Sequence, residues 1–312
     1  MSNNTDTIVE NIAAPASAGV APASGGPLRA FAGVRWGDYL GVAPFLIFAI
    51  LFLIVPTLFL IIGAFQASDG SFTLQNIYDL GTPQIVSSFW ISIRVSAASA
   101  VFGALFGLLI ALAVIRGRLP SAVRSAVLTF SGVASNFAGI PLAFAFIATL
   151  GRLGIMTALL KYVGVDIYHS GFNILSFWGL TLTYCYFQIP LMILIIAPAI
   201  DGLKKEWNEA AATLGASNTQ FWQYIGLPVL FPNLLGTLSL LFANAFGAIA
   251  TAYALTGSSL NIVPILLYAQ IRGDVLNNPG LGAALALGMI VITAVANVLY
   301  LVIRTRAERW LK

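Results

Sequence analysis

Charge is what this 312-residue sequence has least of: 15 Lys and Arg with 11 Asp and Glu make up 8% of it, about a third of the share usual in soluble globular chains. Histidine and cysteine occur once each, as His169 and Cys185. A disulfide framework and a cysteine-based zinc site are therefore excluded. The lone histidine, with no further nitrogen or sulfur ligand, is assigned no metal. The sequence lacks a G-x4-G-K-[ST] loop, so it has no nucleotide-cradling site of its own. It also lacks paired carboxylates, a Ser/His/Asp set and a G-x-S-x-G elbow, and no catalytic residue is assigned.

What is there is hydrocarbon: 59% of the residues are hydrophobic and 12% aromatic. No water-soluble core of this chain length hides so much apolar side chain, so the solvent must be largely lipid. A helix needs about 20 mainly apolar residues to cross the hydrocarbon layer. Intervals free of Asp, Glu, Lys and Arg, such as Val95 to Ile115 and Ser125 to Gly151, anchor six spans at roughly 40–64, 88–115, 124–150, 174–200, 229–256 and 281–303. A seventh crossing at 257–271 is excluded by Gly257-Ser258-Ser259 and Pro264, which leave it short and broken. The expected fold class is all-α, a polytopic membrane protein of six transmembrane helices.

The Lys/Arg bias of the loops sets orientation. With the N-terminus inside, Arg29, Arg35, Arg116, Arg118, Arg124, Lys204, Lys205, Arg304, Arg306, Arg309 and Lys312 fall on inner segments, 11 of the 15. Arg152, Lys161 and Arg272 fall outside, and Arg94 lies near the outer end of the second span. Both termini are expected in the cytoplasm. Residues 1–35, rich in Ala, Pro, Ser and Gly, read as a disordered cytoplasmic tail, and 303–312 as a second tail. Phe31, Trp36 and Tyr39, with Arg29 and Arg35, suit an interfacial segment leading into the first span.

The longest inner loop, Asp201 to Pro228, has helical grammar. Leu203, Trp207, Ala211 and Leu214 recur at helical spacing, with Glu206, Glu209 and Thr213 on another face. Asp201 and Lys205 are spaced as an i,i+4 pair, Gly215 sits where a helix ends, and Ser217 to Gln220 has the S-x-x-Q form of a capping box. The pattern predicts a helix, a glycine turn and a second helix. Amphipathicity alone is also met by an interfacial linker that merely anchors the bundle.

The residues themselves go further. Glu209-Ala210-Ala211, three residues, Gly215, nine residues, Ile225, one residue and Leu227-Pro228 match all seven specified positions of the E-A-A-x3-G-x9-I-x-L-P signature of ATP-binding-cassette importer permeases. From about residue 87 to 302 the sequence resembles the type I permease family, the binding-protein-dependent inner-membrane components with a MetI-like bundle. The resemblance implies a permease subunit in the bacterial inner membrane that forms the path for a small solute delivered by a periplasmic binding protein. It implies as partners a cytoplasmic ABC ATPase dimer, which binds ATP and magnesium, and a second, similar but distinct permease. This chain would bind no cofactor. The loop would be the coupling element, with Glu209 as polar anchor, Ala210 and Ala211 permitting close docking, Gly215 the turn, and Ile225, Leu227 and Pro228 fixing the exit into the fifth span.

Polar residues inside the spans are candidates for the translocation path, since they are costly in lipid. Those singled out are Asn136, Tyr184, Gln188 and Asn244, with Thr183 and Thr251 beside them. For each, an interhelical hydrogen bond is the competing role. Kinks are expected at Pro141 and Pro190. Leu150-Gly151-Arg152-Leu153-Gly154 and Leu214-Gly215-Ala216-Ser217 resemble the spermidine/putrescine-type branch, which also holds phosphonate permeases, and imply a polyamine or an aminoalkylphosphonate as cargo. The electrostatics favour an anion, because the six spans hold no carboxylate and Arg94 would repel a polyamine. A secondary transporter or channel driven by an ion gradient remains the alternative, although neither a buried acid nor an obvious repeat is visible. A purely structural assembly subunit is a third reading.

Overall fold

The computed structural model describes residues 36–67, 69–117, 119–257, 259–272 and 278–307, without the side chains of 36–40 and 307. The expected tails at 1–35 and beyond 307 lie outside the described residues. The chain divides into two units, Met1–Pro56 and Thr57–Lys312. In the first, α1 (Trp36–Ala49) continues through a π-helical turn, Ile50–Ile54, toward α2 (Val55–Gly63). Every described side chain from Leu51 to Pro56 is exposed. A helix apolar all round and uncovered by protein is what lipid accommodates.

The second unit is a set of helices joined by turns and loops, with one isolated β-bridge among the described residues, between Gln66 and Phe72. After α3 (Gln75–Asp79) come α4 (Pro83–Arg116), α5 (Ser121–Asn136), α6 (Ile140–Leu150) and α7 (Ile155–Tyr162). Next are α8 (Phe177–Asp201), α9 (Lys205–Thr213) and α10 (Asn218–Phe221). A π-helical turn, Trp222–Gly226, leads into α11 (Leu227–Gly247), then α12 (Ile249–Thr256), α13 (Val263–Arg272) and α14 (Pro279–Ala307). Among the described residues, six helical stretches are long and apolar enough to cross a bilayer: Gly41–Gly63, Pro83–Arg116, Ile140–Tyr162, Phe177–Asp201, Asn218–Gly247 and Pro279–Arg306. At about 1.5 Å per residue, the 10-residue α13 is too short to be a seventh.

The axis of the unit is α8, which takes part in both large apolar clusters. Leu180, Tyr184 and Phe187 pack with Val95, Leu142, Ala245 and Leu255, and Met192, Ile196 and Ile200 pack with Ala100, Ala111, Leu230 and Leu241. Glycines let α4 approach it. A Cβ on Gly103 would stand 2.6 Å from Cβ of Gln188, and one on Gly107 2.6 Å from Cβ of Met192. Small residues at a helix contact are how membrane helices gain packing when lipid offers no hydrophobic drive.

Two expected spans arrive in pieces. The stretch expected at 124–150 is α5 and α6 with Phe137 to Gly139 between them, and that at 229–256 is α11 and α12 with Ala248 between them. At Gly139 the backbone turns to φ +77°, a conformation glycine adopts without steric cost. The first break therefore precedes Pro141, which sits in the first turn of α6, where its missing amide costs nothing. Pro190 lies inside α8, which runs unbroken from Phe177 to Asp201.

Candidate functional site

One candidate site lies where the chain leaves α8 and returns in α11. Helix α9 ends in a Schellman motif: the Gly215 amide bonds to the Ala212 carbonyl at 2.9 Å and the Ala216 amide to the Ala211 carbonyl at 2.9 Å. Gly215 takes φ +80°, the left-handed C′ position this motif requires. The capping box then starts α10. The Gln220 amide donates to Ser217 Oγ at 3.3 Å, and the Ser217 amide to Gln220 Oε1 at 2.7 Å. Between the two helices lies a concavity of about 300 Å³ lined by Ala211, Leu214, Gly215, Phe221, Tyr224 and Ile225.

The seven signature residues are thus gathered on one helix–turn–helix and its exit. Glu209 and Ala210 are exposed, Ala211 is buried, Gly215 makes the turn, Ile225 is half-buried, and Leu227 and Pro228 open α11. The expected apolar stripe is only partly covered: Leu203 and Ala211 are buried, whereas Leu214 is 88% exposed and Trp207 37%. Leu203 also precedes the helix, which begins at Lys205. The expected Asp201–Lys205 pair is replaced, because Asp201 binds Arg124 of α5 at 2.6 Å. Asp201 closes α8, so it faces the neighbouring helix rather than the next turn of α9.

A second candidate region is formed by the helix breaks. The Gly139 amide donates to Thr251 Oγ1 at 2.7 Å, joining the break before α6 to the first turn of α12. The Tyr184 hydroxyl donates to the carbonyl of Ala248, the residue at the other break. Gln188 Nε2 donates to the Leu241 carbonyl at 2.7 Å, and its Oε1 is buried without a partner. Tyr184 and Gln188 are buried. Asn136 and Asn244 are exposed, the first at the end of α5 and the second four residues before Ala248. The four expected path residues therefore separate into two that bond helix to helix and two that present an amide beside a break. Thr251, 2% exposed, is the residue that holds the breaks together. The sequence marks it as one of the polar residues inside the spans, without showing its partner.

Residues 103–309 match the family described as binding-protein-dependent transport system inner membrane component. The molybdenum transport system permease protein ModB of Mycobacterium tuberculosis is 28% identical over 218 residues, covering 68% of this chain and 77% of ModB. The sulfate transport system permease protein CysT of Salmonella typhimurium is 22% identical, covering 76% of this chain and 82% of CysT. Among solved structures, a bacterial ABC transporter that imports the acidic polysaccharide alginate aligns with a TM-score of 0.68 at 19% identity, over 89% of this chain and 96% of that one. The MetNI methionine transporter aligns with a TM-score of 0.55 at 14% identity, over 71% and 95%.

These relatives do not support the expected polyamine or phosphonate branch. The structure shows what its outer motif marks. Between α6 and α7, the Gly151 amide caps the Ile147 carbonyl, and a Cβ on Gly154 would collide with the Thr149 carbonyl. The glycines of Leu150-Gly151-Arg152-Leu153-Gly154 serve a tight turn whatever the cargo. The family match and the helical bundle agree: the chain belongs to the binding-protein-dependent transport system inner membrane components, the permease subunits of ABC importers.

Proposed function

We propose that this permease carries a small tetrahedral oxyanion of the sulfate or molybdate kind, delivered by a periplasmic binding protein. Two things support the cargo: the similarity to the molybdenum permease ModB and the sulfate permease CysT, and the lack of any Asp or Glu between Leu40 and Phe65 or inside α4, α6, α11 and α12. An anion crossing such spans meets no like charge, whereas a polyamine would find no counter-charge. Arg94, whose guanidinium carbon lies 5.3 Å from the Phe177 ring centroid, is a cation available at the start of α8. Asn136 and Asn244 line the path, which runs between this chain and a second, similar permease.

The observation that carries the driving mechanism is the exposed helix–turn–helix of α9 and α10. In this reading it faces the cytoplasm with both termini and docks on one subunit of an ABC ATPase dimer, which holds ATP and magnesium. Glu209 meets a basic group there, Ala210 and Ala211 allow close approach, Gly215 sets the turn, and Ile225, Leu227 and Pro228 pass the movement into α11. The concavity beside Leu214 accepts an apolar residue of the ATPase. An alternative driven by an ion gradient often carries a buried Asp, Glu or His as its coupling site, and the spans hold no such acid.

Glu209→Lys tests the coupling in the complete transporter reconstituted with its binding protein. Loss of ATP-dependent uptake with the complex still inserted and assembled is the expected result, and undiminished uptake overturns the docking role. Uptake of sulfate and of molybdate by the same vesicles tests the cargo separately. Transport of neither anion overturns the oxyanion reading and leaves the coupling result standing.

A further inference from the structure

Helix α4 is apolar from Ala100 to Ile115 and then ends in Arg116 and the capping residue Gly117. That is where a spanning helix meets the headgroup layer. The guanidinium is half-buried beside the chain that leads into α9. One Nη donates to the Leu203 carbonyl at 2.8 Å, while Nε is enclosed and has no hydrogen-bond acceptor. A guanidinium carries five donors and no acceptor, so an enclosed Nε with nothing to bond is an unmet demand for an oxygen.

Arg116 is also one of the residues lining a groove of about 490 Å³, with Leu112, Ala113, Gly117, Trp222 and Leu227. Four of these are apolar side chains, and Trp222 is of the type enriched at membrane interfaces. The groove thus offers one positive charge at the end of a hydrocarbon-lined channel. A soluble oxyanion would use only the charge, and a peptide would leave its backbone groups unpaired against the apolar walls. A molecule with a phosphate at one end and hydrocarbon at the other uses both.

We propose that this groove binds an anionic phospholipid of the leaflet on the α9 side, with its phosphate on Arg116 and the start of an acyl chain along Leu112, Ala113, Trp222 and Leu227. No lining residue is an acid, so the ammonium of a zwitterionic headgroup finds no partner there. A phosphatidylglycerol headgroup loses nothing by that lack. Because Arg116 also holds the Leu203 carbonyl two residues ahead of α9, the lipid contacts a residue that fixes the root of that helix. The site is independent of the cargo and of which side of the membrane α9 faces.

The test weighs the assembled transporter by native mass spectrometry after extraction from vesicles of phosphatidylethanolamine and phosphatidylglycerol in equal amounts. The expected result is one tightly held phosphatidylglycerol per copy of this chain. Arg116→Gln should lower its retention about ten-fold, the loss expected when a charged hydrogen bond goes. Ala113→Trp should lower it similarly by filling the groove while keeping the charge and the Leu203 bond, so it decides the matter should Arg116→Gln fail to assemble. Equal retention of the two lipids, or unchanged retention in Ala113→Trp, overturns the proposal.

Discussion

The amide of Gly139 and the hydroxyl of Thr251 meet at 2.7 Å although 112 positions separate them, and this bond fastens one interrupted helix to another. Gly139 directly precedes the apolar stretch Ile140–Tyr162 and Ala248 directly follows Asn218–Gly247, and backbone groups freed at a buried break need partners from the protein. Here Thr251 takes the amide on one side, and Tyr184 donates to the Ala248 carbonyl on the other. Around them Leu142 and Ala143 of α6 pack with Ala252 and Leu255 of α12 in one apolar cluster.

Thr251→Val keeps the shape of the side chain and removes the acceptor. The Gly139 amide is then left without a partner, at a cost of about 1–3 kcal/mol. Unfolding of the purified transporter in an SDS titration should shift by that amount, and Thr251→Ser should restore most of it. An unshifted Thr251→Val would show that the amide finds water or another acceptor.

The contact between α4 and α8 is open to a similar contrast between two glycines. A Cβ on Gly107 would come within 2.8 Å of the Ile189 carbonyl and 2.6 Å of Met192 Cβ, and neither backbone nor Cβ can swing away. Gly107→Val should therefore destabilise the fold by about 1–3 kcal/mol or prevent assembly. Gly132 in α5 has nothing within 4 Å of its Cβ position. Gly132→Ala should stabilise the same helix by about 0.5–1 kcal/mol, and thermal unfolding of both variants makes the comparison.

The helical class and the helix–turn–helix of α9 and α10 were legible because both are written locally. Charge-free intervals report lipid directly, and the Gly215 turn and the Ser217–Gln220 box are short-range devices that the structure reproduces bond for bond. The breaks at Gly139 and Ala248 were not legible. Hydropathy reads through an interruption of one to three residues, and the partner that makes the first one tolerable, Thr251, lies 112 positions away. The Asp201–Arg124 bond escaped for the same reason: sequence spacing shows the neighbour four residues on and is blind to a helix 77 residues upstream. The branch motif failed differently, since glycines demanded by a turn carry no information on cargo.

The four polar residues of the spans should separate by assay as they do by burial. Tyr184→Phe frees the Ala248 carbonyl at a break and should cost about 1–2 kcal/mol in the SDS titration. Asn136→Leu and Asn244→Leu change exposed amides that hold no other helix: Asn136 bonds only to Gly132 and Ser135 of its own helix. These two should leave unfolding unchanged and reduce oxyanion uptake. Uptake unaffected in both would remove them from the path.

Gly215 offers a test of the proposed coupling role that leaves the side chains proposed to dock in place. Its φ of +80° is strained for any residue with a Cβ, although nothing lies within 4 Å of the position a Cβ would take. The cost of Gly215→Ala is therefore conformational alone, about 1–2 kcal/mol. It falls on the one residue that sets the angle between α9 and α10. If the pair works as a rigid lever, relief of that strain will loosen the turn, and ATP hydrolysis will continue while binding-protein-stimulated uptake falls. If the pair is only an anchor at the membrane surface, Gly215→Ala will lower stability slightly and leave the ratio of ATP hydrolysed to solute transported unchanged. That ratio, measured in proteoliposomes of the complete transporter, separates a lever from an anchor.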